Sequence, residues 1–460
     1  MVNRKTLILV VVSIIALVAY FQTSVLLSSS ERGALVVLIF AAGLWTTEAV
    51  PLSATALLIP LLQTLLGVQG FKGALAPFFD PVVALLLGGF MLARAVEKYD
   101  LDEFFAYQIV SRVPSSAKVV VLVLMFTSAF LSMWISNTAT TTLLIAMVLK
   151  IIKDIRDDRG NFSKIMVLGI AYSATAGGLS TLVGTTTCAM AAASLKDLVG
   201  YEISFLGWSF FGFPITFLMV IATWITLFAM FPTDVDRIPV ETLERKPLDR
   251  KQKYTLLVFA LAILLWFTGL LPEPIALVVG WGGHGLSSGV VAIIVGVLLL
   301  FTGLLEEHDL GRVNWNALLL IGGGLSLGAA LEVSGLVVRI SDILLLLTGG
   351  ASWLVTIAMV VVFGLGLSII ASNTASAAIF LPIAISLANT TGTSPVILAV
   401  AVGISTSLDF MLPVGTPPNA IAYSTGKVSM RDMIKAGILL DLASALITTL
   451  LAYFLWPALV

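Results

Sequence analysis

The amino-acid sequence predicts an all-α polytopic membrane protein built as an inverted repeat, with about eleven transmembrane helices, two re-entrant hairpins and two broken helices. Three observations lead to this prediction. The 460 residues are 59% hydrophobic and 11% charged, and a mean hydropathy of +1.07 is far too high for a soluble globular protein. Short polar motifs interrupt several of the long apolar runs. Three pairs of similar motifs also recur along the chain.

The membrane segments follow one another along nearly the whole chain. A spanning helix needs roughly 20 apolar residues, and we predict eleven spans and two longer units. They lie at residues 6–27, 33–50, 51–67, 80–97, 118–150, 165–199, 205–231, 254–271, 286–304, 315–337, 352–390, 395–423 and 432–458. The first run reaches residue 27 without a small-residue cleavage site, so we expect a retained N-terminal helix.

The two longer units are predicted to be re-entrant hairpins. The run 118–150 is too long for one span and too short for two, and a Ser-Asn-Thr motif at residues 136–138 lies near its middle. The run 352–390 has the same design, with Ser-Asn-Thr at residues 372–374. We therefore expect each run to enter and leave the membrane on one side, with Ser-Asn-Thr at its tip.

Two spans are predicted to be broken helices. The segment 165–199 is interrupted at Gly184 to Thr187, and the segment 395–423 at Gly415 to Pro418. Glycine permits unusual backbone dihedral angles and proline donates no backbone hydrogen bond, so both motifs interrupt a helix locally. Unpaired backbone groups at membrane depth are tolerated only where protein or a water-filled cavity receives them. The hairpin tips and the broken helices are therefore predicted to lie together.

An internal repeat relates the two halves of the chain. Three pairs of motifs match in order at spacings of 231 to 236 residues: Gly88-Gly89 with Gly323-Gly324, Asn137 with Asn373, and Gly184 with Gly415. Each copy has an odd number of spans, so the copies take opposite orientations, a design in which binding occurs near the membrane midplane. The predicted domains are an extra N-terminal helix at 1–32, a first repeat at 33–231, a cytoplasmic linker at 232–253 and a second repeat at 254–460.

The distribution of basic residues predicts the orientation in the membrane. Cytoplasmic segments of membrane proteins carry an excess of Lys and Arg. With a cytoplasmic N-terminus and both hairpins returning to their own side, 21 of the 25 basic residues fall on the cytoplasmic side. The exceptions are Arg32, Lys72, Lys196 and Arg339. The C-terminus is then extracellular or periplasmic, and we expect the chain in the inner (plasma) membrane of a bacterium.

The chemistry of the four interruptions suits two opposite charges. Half-helix N-termini carry about half a positive charge with free N–H groups and favour an anion. Unwound carbonyls with Ser, Thr and Asn oxygens suit a small cation such as sodium. No Lys, Arg, Asp or Glu occurs in residues 119–149, 165–195 or 352–408. An anion bound there needs co-bound cations for neutralisation, which predicts cation-coupled secondary transport.

Other function classes find little support. The only cysteine is Cys188, and the two histidines, His284 and His308, lie near segment ends, so we expect no Cys- or His-ligated metal and no enzyme. No cofactor and no nucleic-acid partner is expected, and sodium enters only as a co-transported ion. Asp409 is the one acid in the second broken helix. A role in cation coupling and a capping or loop role both remain open for it.

Three features together resemble a known family. They are the paired Ser-Asn-Thr tips, the stretch MLPVGTPPNAIAY from residue 411 and the stretch TTEAVPLSATALLIP at residues 46–60. Over nearly the whole chain the sequence is similar to the divalent anion/sodium symporter family. The resemblance implies a homodimer in which each protomer has a scaffold domain and a transport domain that moves as an elevator. The first copy has Thr186-Thr187-Cys188 where many members have Pro-Pro-Asn.

The same resemblance implies the site residues. The first sodium site would use Ser132, Ser136, Asn137 and Gly184. The second would use Ser368, Ala371, Asn373 and Gly415. Residues placed to meet the substrate are Ser136, Asn137, Thr138, Thr185, Ser372, Asn373, Thr374, Thr416 and Pro417.

The function expected from these observations is sodium-coupled symport of a small divalent anion across the lipid bilayer. C4-dicarboxylates such as succinate, malate or fumarate are the first candidates. A sodium/sulfate or citrate symporter is an alternative, as is an anion exchanger or oxyanion exporter of a related fold. The sequence leaves open which divalent anion is carried, the sodium stoichiometry and the choice between symport and exchange.

Overall fold

The structure, a computed structural model, describes residues 4–110, 115–153, 155, 157, 160–238, 247–348 and 351–460. Within these residues it contains α-helices, four short 3₁₀ turns and no β-strand, and an isolated antiparallel bridge pairs Ser116 with Arg237. Residues 239–246 of the predicted linker lie outside the described residues. So do five of the basic residues counted for the orientation: Arg112, Arg156, Arg159, Arg245 and Lys246.

The first half of the chain contains eleven helices in the described residues. They are α1 (Arg4–Gln22), α2 (Ser29–Thr47), α3 (Leu52–Leu65), α4 (Phe71–Leu75), α5 (Pro81–Lys98), α6 (Leu101–Val110), α7 (Ala117–Ser132), α8 (Asn137–Lys153), α9 (Asn161–Gly177), α10 (Thr186–Val199) and α11 (Phe205–Met230).

The second half contains another eleven. They are α12 (Arg250–Thr268), α13 (Glu273–Val279), α14 (Ser288–Phe301), α15 (Glu307–Leu310), α16 (Trp315–Ser334), α17 (Leu336–Thr348), α18 (Trp353–Ile370), α19 (Asn373–Thr391), α20 (Pro395–Ser405), α21 (Pro417–Ser424) and α22 (Met430–Phe454). Together the two sets confirm an all-α fold over the described chain.

Nine helical segments in the described residues are long and apolar enough to cross a membrane. They are Arg4–Val25, Phe71–Lys98, Asn161–Ser180, Phe205–Met230, Arg250–Thr268, Trp315–Ser334, Trp353–Ile370, Asn373–Thr391 and Met430–Ala458. Helices α3, α7, α14 and α20 are apolar but shorter. Large apolar side chains on the outside, such as Leu17 and Phe301, are exposed, which is what contact with lipid tails requires.

The four interruptions are present, but they end earlier than the sequence predicts. They cover residues 133–136, 178–185, 371–372 and 406–416. The expected breaks at 136–138, 184–187, 372–374 and 415–418 extend too far, because their last residues already belong to the next helix. The reason is helix capping: Ser136 and Ser372 accept hydrogen bonds from backbone N–H groups three residues later, and proline is well suited to the first turn.

Several short helices lie outside the predicted spans, and some anchor the longer ones. Asp309 lies within α15 and is fully buried, with Lys98 Nζ 2.7 Å and Arg94 Nε 3.4 Å from its carboxylate oxygens. Burial alone would raise the pKa of Asp309, but hydrogen bonds from Lys98 and from the Glu306 backbone N–H outweigh it and lower that pKa to about 2. This ion cluster fixes the C-terminal end of α5 against the connection before α16.

Close helix packing depends on the glycines of the repeated Gly-Gly motifs. A Cβ atom on Gly88 would overlap the carbonyl group of Ala292 on α14. A Cβ atom on Gly323 would lie 2.6 Å from Cα of Ala56 on α3. Small residues let membrane helices approach backbone to backbone, so these glycines hold α5 and α16 against their neighbours.

Candidate functional site

One cavity of about 1060 Å³ collects the residues of all four interruptions. Of the fourteen residues implied by the family resemblance, thirteen line it. They are Ser136, Asn137, Thr138, Gly184, Thr185, Ser368, Ala371, Ser372, Asn373, Thr374, Gly415, Thr416 and Pro417. The fourteenth, Ser132, lies behind the wall, where its hydroxyl donates to Asn137 Oδ1 over 2.6 Å. Each residue's role in binding stays a prediction.

The first hairpin tip is held against the first broken helix. Thr181 donates its hydroxyl hydrogen to the Met133 carbonyl over 2.6 Å, and the Gly184 N–H donates to the Thr181 hydroxyl over 3.2 Å. Met133 directly follows the end of α7, so these two bonds join the tip to the 178–185 loop. The unpaired backbone of each segment is thereby partly satisfied by the other.

Neutral oxygen atoms converge beside this first tip. A Cβ atom on Gly178 would lie 2.7 Å from Asn137 Oδ1 and 3.1 Å from the Gly184 carbonyl oxygen. A Cβ atom on Gly184 would overlap the Gly178 carbonyl oxygen. Only glycine therefore permits this approach, which brings an amide oxygen and two carbonyl oxygens together. Such hard, neutral oxygens suit a small cation such as sodium.

The second hairpin tip has the same residues in a different bonding pattern. Ser372 caps α19 by accepting from the Ala375 N–H over 3.3 Å. The Ser368 hydroxyl donates to the Leu365 carbonyl of its own helix over 2.8 Å. Asn373 Oδ1 is buried and has no hydrogen-bond partner. The amide oxygen at this tip is therefore free to accept a ligand.

The second broken helix is held by Asn419. Its side-chain N–H₂ donates to the carbonyl oxygens of Asp409 and Leu412 over 3.2 and 3.0 Å, and its backbone N–H donates to the Thr416 hydroxyl over 3.3 Å. These bonds fix the 406–416 segment in front of α21. Both carboxylate oxygens of Asp409 are buried against Gly415 without a hydrogen-bond partner.

Hydroxyl groups link the two halves across the cavity. The Thr186 and Thr374 hydroxyl oxygens are 2.6 Å apart, and the Ser407 hydroxyl lies 3.3 Å from that of Thr185 and 2.5 Å from that of Thr187. Sequence reasoning missed Thr186 and Ser407. The only available indication was the exchange of Pro-Pro for Thr186-Thr187 in the first copy, since threonine can bond where proline cannot.

The cavity is also lined by residues that were not among the inferred site residues. They are Thr46, Thr47, Glu48, Trp134, Asn314, Asn316 and Tyr423. The first three belong to the TTEAVP stretch, and Glu48 ends α2 in the left-handed region with φ of 48°. No Lys or Arg side chain lines the cavity in the described residues. An anion there meets hydroxyls, amides and helix N-termini rather than a guanidinium clamp.

Sequence comparison decides the family. Residues 2–460 match the model of the sodium:sulfate symporter transmembrane region. The chain belongs to this family. It is 32% identical to the sodium-dependent dicarboxylate transporter SdcS of Staphylococcus saprophyticus over 457 residues, which cover 93% of this chain and 87% of that protein. It is 33% identical to a transporter of Haemophilus influenzae over 426 residues, with 92% and 91% covered.

Solved structures show the same fold at low sequence identity. The YdaH transporter of Alcanivorax borkumensis is similar with a TM-score of 0.61 and 16% identity, covering 86% of this chain and 88% of that one. The Neisseria gonorrhoeae efflux pump MtrF is similar with a TM-score of 0.58 and 16% identity, covering 86% and 85%. The family and its sodium-dependent dicarboxylate transporter relatives support an integral membrane, sodium-coupled anion transporter rather than an enzyme.

Proposed function

We propose that this family member imports a C4-dicarboxylate such as succinate, malate or fumarate together with sodium ions. The observation that carries the proposal is the composition of the cavity wall. It has no basic side chain in the described residues, yet the first residues of α8, α10, α19 and α21 all line it. All four helix N-termini present positive dipole ends to an anion, and those of α8, α10 and α19 also offer N–H groups. Helix α21 begins with Pro417 and Pro418, which have no N–H, so it contributes through its dipole.

Sodium supplies the charge that the wall lacks. A dianion that leaves water faces a large desolvation penalty, which dipoles and neutral donors do not offset alone. The oxygen atoms of Asn137, Gly178 and Gly184 form one candidate cation cage, and the free Asn373 Oδ1 lies at the second. Cations bound beside the two tips would neutralise the anion between them, so that the anion binds only together with cations.

Two recognition elements favour a dicarboxylate over a single-headed anion. The Ser-Asn-Thr tips of the two hairpins line the same cavity, and each can donate from its hydroxyls, its amide N–H₂ and a helix N-terminus. A C4-dicarboxylate has one carboxylate for each tip. Sulfate has a single compact head and would meet both tips less well. The relatives named sodium-dependent dicarboxylate transporters support this choice.

The transport cycle we propose moves the cavity as a unit. Hairpins that open to opposite sides would alternately expose the site, and the segments that carry both tips and both broken helices would form the moving domain. The family resemblance supports a homodimeric scaffold. The excess of Lys and Arg on one side supports a cytoplasmic N-terminus and an extracellular C-terminus in the bacterial plasma membrane. The Thr186–Thr374 and Thr187–Ser407 bonds support common movement, because they join the two copies at the site.

Reconstituted uptake tests this proposal. Purified protein in liposomes is given labelled succinate, citrate or sulfate, each with an inward sodium gradient, without one, or with the same unlabelled anion inside. We expect concentrative succinate uptake only with the sodium gradient. Preferred sulfate or citrate uptake would replace the substrate, and uptake driven by internal anion without sodium would establish exchange and contradict symport.

A further inference from the structure

Asp409 has a buried carboxylate that is not part of the substrate cavity. It lies in the 406–416 segment, its side chain is fully buried, and neither carboxylate oxygen has a hydrogen-bond partner. The Met411 backbone N–H lies nearby without making a hydrogen bond of ordinary geometry. Asp409 is also absent from the residues that line the cavity.

The surroundings of Asp409 add negative charge and provide no positive group. Asp441 on α22 is buried within electrostatic range, and it accepts the Phe410 N–H over 3.0 Å through Oδ1 while its Oδ2 has no partner. Tyr172, whose hydroxyl has no partner either, lies within electrostatic range of both carboxylates, and its ring packs against Phe410. No ion pair reaches Asp409 or Asp441 among the described residues.

A second acceptor lies on the neighbouring side chain. Asn419 donates its N–H₂ to the Asp409 carbonyl, but its own Oδ1 is buried and unpartnered. Three free oxygen atoms, two from the Asp409 carboxylate and one from the Asn419 amide, therefore lie on two residues that are hydrogen-bonded to each other. A buried acceptor without a hydrogen-bond partner is destabilising, and a buried charge without a partner is more so.

The Asp409 carboxylate occupies space beside Gly415 that is open because glycine has no Cβ atom. A Cβ atom on Gly415 would overlap Asp409 Oδ2. The residue of the first copy that corresponds to Asp409 is Gly178, which has no side chain. The side chain nearest to Gly178 is the neutral amide of Asn137. The carboxylate is therefore a feature of the second copy alone, and it touches the glycine that the resemblance assigns to the second sodium site.

We propose that the Asp409 carboxylate, with Asn419 Oδ1, holds a sodium ion beside Gly415 and that this ion binds before the anion. The inference rests on the proposed sodium-coupled function. It adds that one cation has a negatively charged protein ligand, so its binding does not require the charge of the substrate. The first site, built from neutral oxygens, does require that charge.

Sodium binding without substrate tests the inference. Purified wild-type protein and Asp409→Asn are equilibrated with ²²Na⁺ in the absence of any dicarboxylate, with choline holding the ionic strength constant. We expect wild-type protein to bind sodium and Asp409→Asn to bind it about tenfold or more weakly, because a charged ligand has become neutral. Wild-type affinity in Asp409→Asn would overturn the inference.

Two further variants test whether the loss of sodium binding is specific to Asp409. Asp441→Asn removes the neighbouring buried charge, and we expect a clearly smaller loss of sodium affinity than in Asp409→Asn. An equal or larger loss would contradict the assignment to Asp409. Gly415→Ala should weaken sodium binding because its Cβ displaces the carboxylate, but should add nothing to Asp409→Ala, a non-additivity that a double-mutant cycle measures. Fully additive effects would contradict the contact.

The outcome separates this inference from the proposed function. If wild-type protein binds sodium through Asp409 but does not take up succinate, the site stands and the substrate proposal fails. If succinate uptake is sodium-driven while Asp409→Asn binds sodium normally, the transport proposal stands and the Asp409 site fails.

Discussion

The two hairpin tips have the same residues and different chemistry. In the first, the Ser132 hydroxyl donates to Asn137 Oδ1 over 2.6 Å. In the second, Ser368 donates instead to the Leu365 carbonyl of its own helix, and Asn373 Oδ1 is left without a partner. A serine and an asparagine five residues apart are thus hydrogen-bonded to each other in the first copy and are not in the second.

The loops that face the tips differ in the same direction. Gly178 and Cys188 of the first copy stand where the second has Asp409 and Asn419. Cys188 is a buried thiol, whereas the Asn419 side chain donates hydrogen bonds to two backbone carbonyls. The first copy therefore has a neutral region in which the tip asparagine is hydrogen-bonded, and the second has free oxygens and a carboxylate. Equivalent substitutions in the two copies should have unequal effects, and that asymmetry can be measured.

The largest effect is expected from the two tip asparagines. Asn137→Ala and Asn373→Ala should each reduce concentrative uptake to background, because each removes an oxygen for a cation and an N–H₂ for the anion. Their stabilities without sodium should differ. Asn137→Ala leaves the Ser132 hydroxyl unpaired and should lower the melting temperature, whereas Asn373→Ala removes an unpartnered oxygen and should not. Near-normal uptake by either variant would contradict the site assignment.

The opposite orientation of the hairpins is tested by labelling. Cys188 is first replaced by alanine, and single cysteines are then placed near Thr390, after the second hairpin, and near Asp157, after the first. An impermeant thiol reagent applied to cells from outside should label only the position near Thr390. Matching labelling of the two positions would contradict the inverted repeat.

A smaller effect is expected at the repeat-related pair Cys188 and Asn419. Asn419→Ala loses two side-chain hydrogen bonds, each contributing about 1 kcal/mol. It removes the donor to the Asp409 carbonyl, whereas the Leu412 carbonyl keeps the Gly415 N–H. Cys188→Ala loses a small apolar contact. Thermal unfolding in detergent should therefore show a clearly larger drop in melting temperature for Asn419→Ala. The comparison would fail if Cys188→Ala were the more damaging change.

The sequence predicts where the helices are interrupted, but it does not predict which hydrogen bonds the interrupted segments make. Glycine, proline and Ser-Asn-Thr inside apolar runs mark where a helix stops, and thirteen of the fourteen inferred residues do line one cavity. The boundaries are wrong by one to several residues, because a capping side chain such as Ser372 belongs to both a break and the start of a helix.

Other features are determined only by the three-dimensional arrangement. Membrane serines and threonines commonly bond to a carbonyl of their own helix, as Thr142 does with the Thr138 carbonyl. Nothing in the sequence separates these from Thr186 and Ser407, which bond across the two copies. The sequence likewise identifies Asp409 as an intramembrane acid but cannot show that Gly415 provides its space.

The smallest effect is expected at the bond that joins the copies. Thr186→Ala removes the hydrogen bond to Thr374 and should weaken succinate binding about fivefold, the equivalent of about 1 kcal/mol. Thr374→Ala should have an effect at least as large, since this residue also lies at the tip. The double variant should lose less than the sum of the two, as measured by equilibrium binding. Additive losses would mean that the two hydroxyls act independently.

The central claim is that cations neutralise the anion in a cavity without basic side chains, and succinate binding across sodium concentrations tests it most directly. Affinity of purified protein for succinate is measured at constant ionic strength with choline as the replacement cation. We predict that affinity rises steeply with sodium, and that succinate raises sodium affinity by the same factor, as linkage requires. Succinate affinity that stays unchanged over a hundredfold range of sodium would contradict the account.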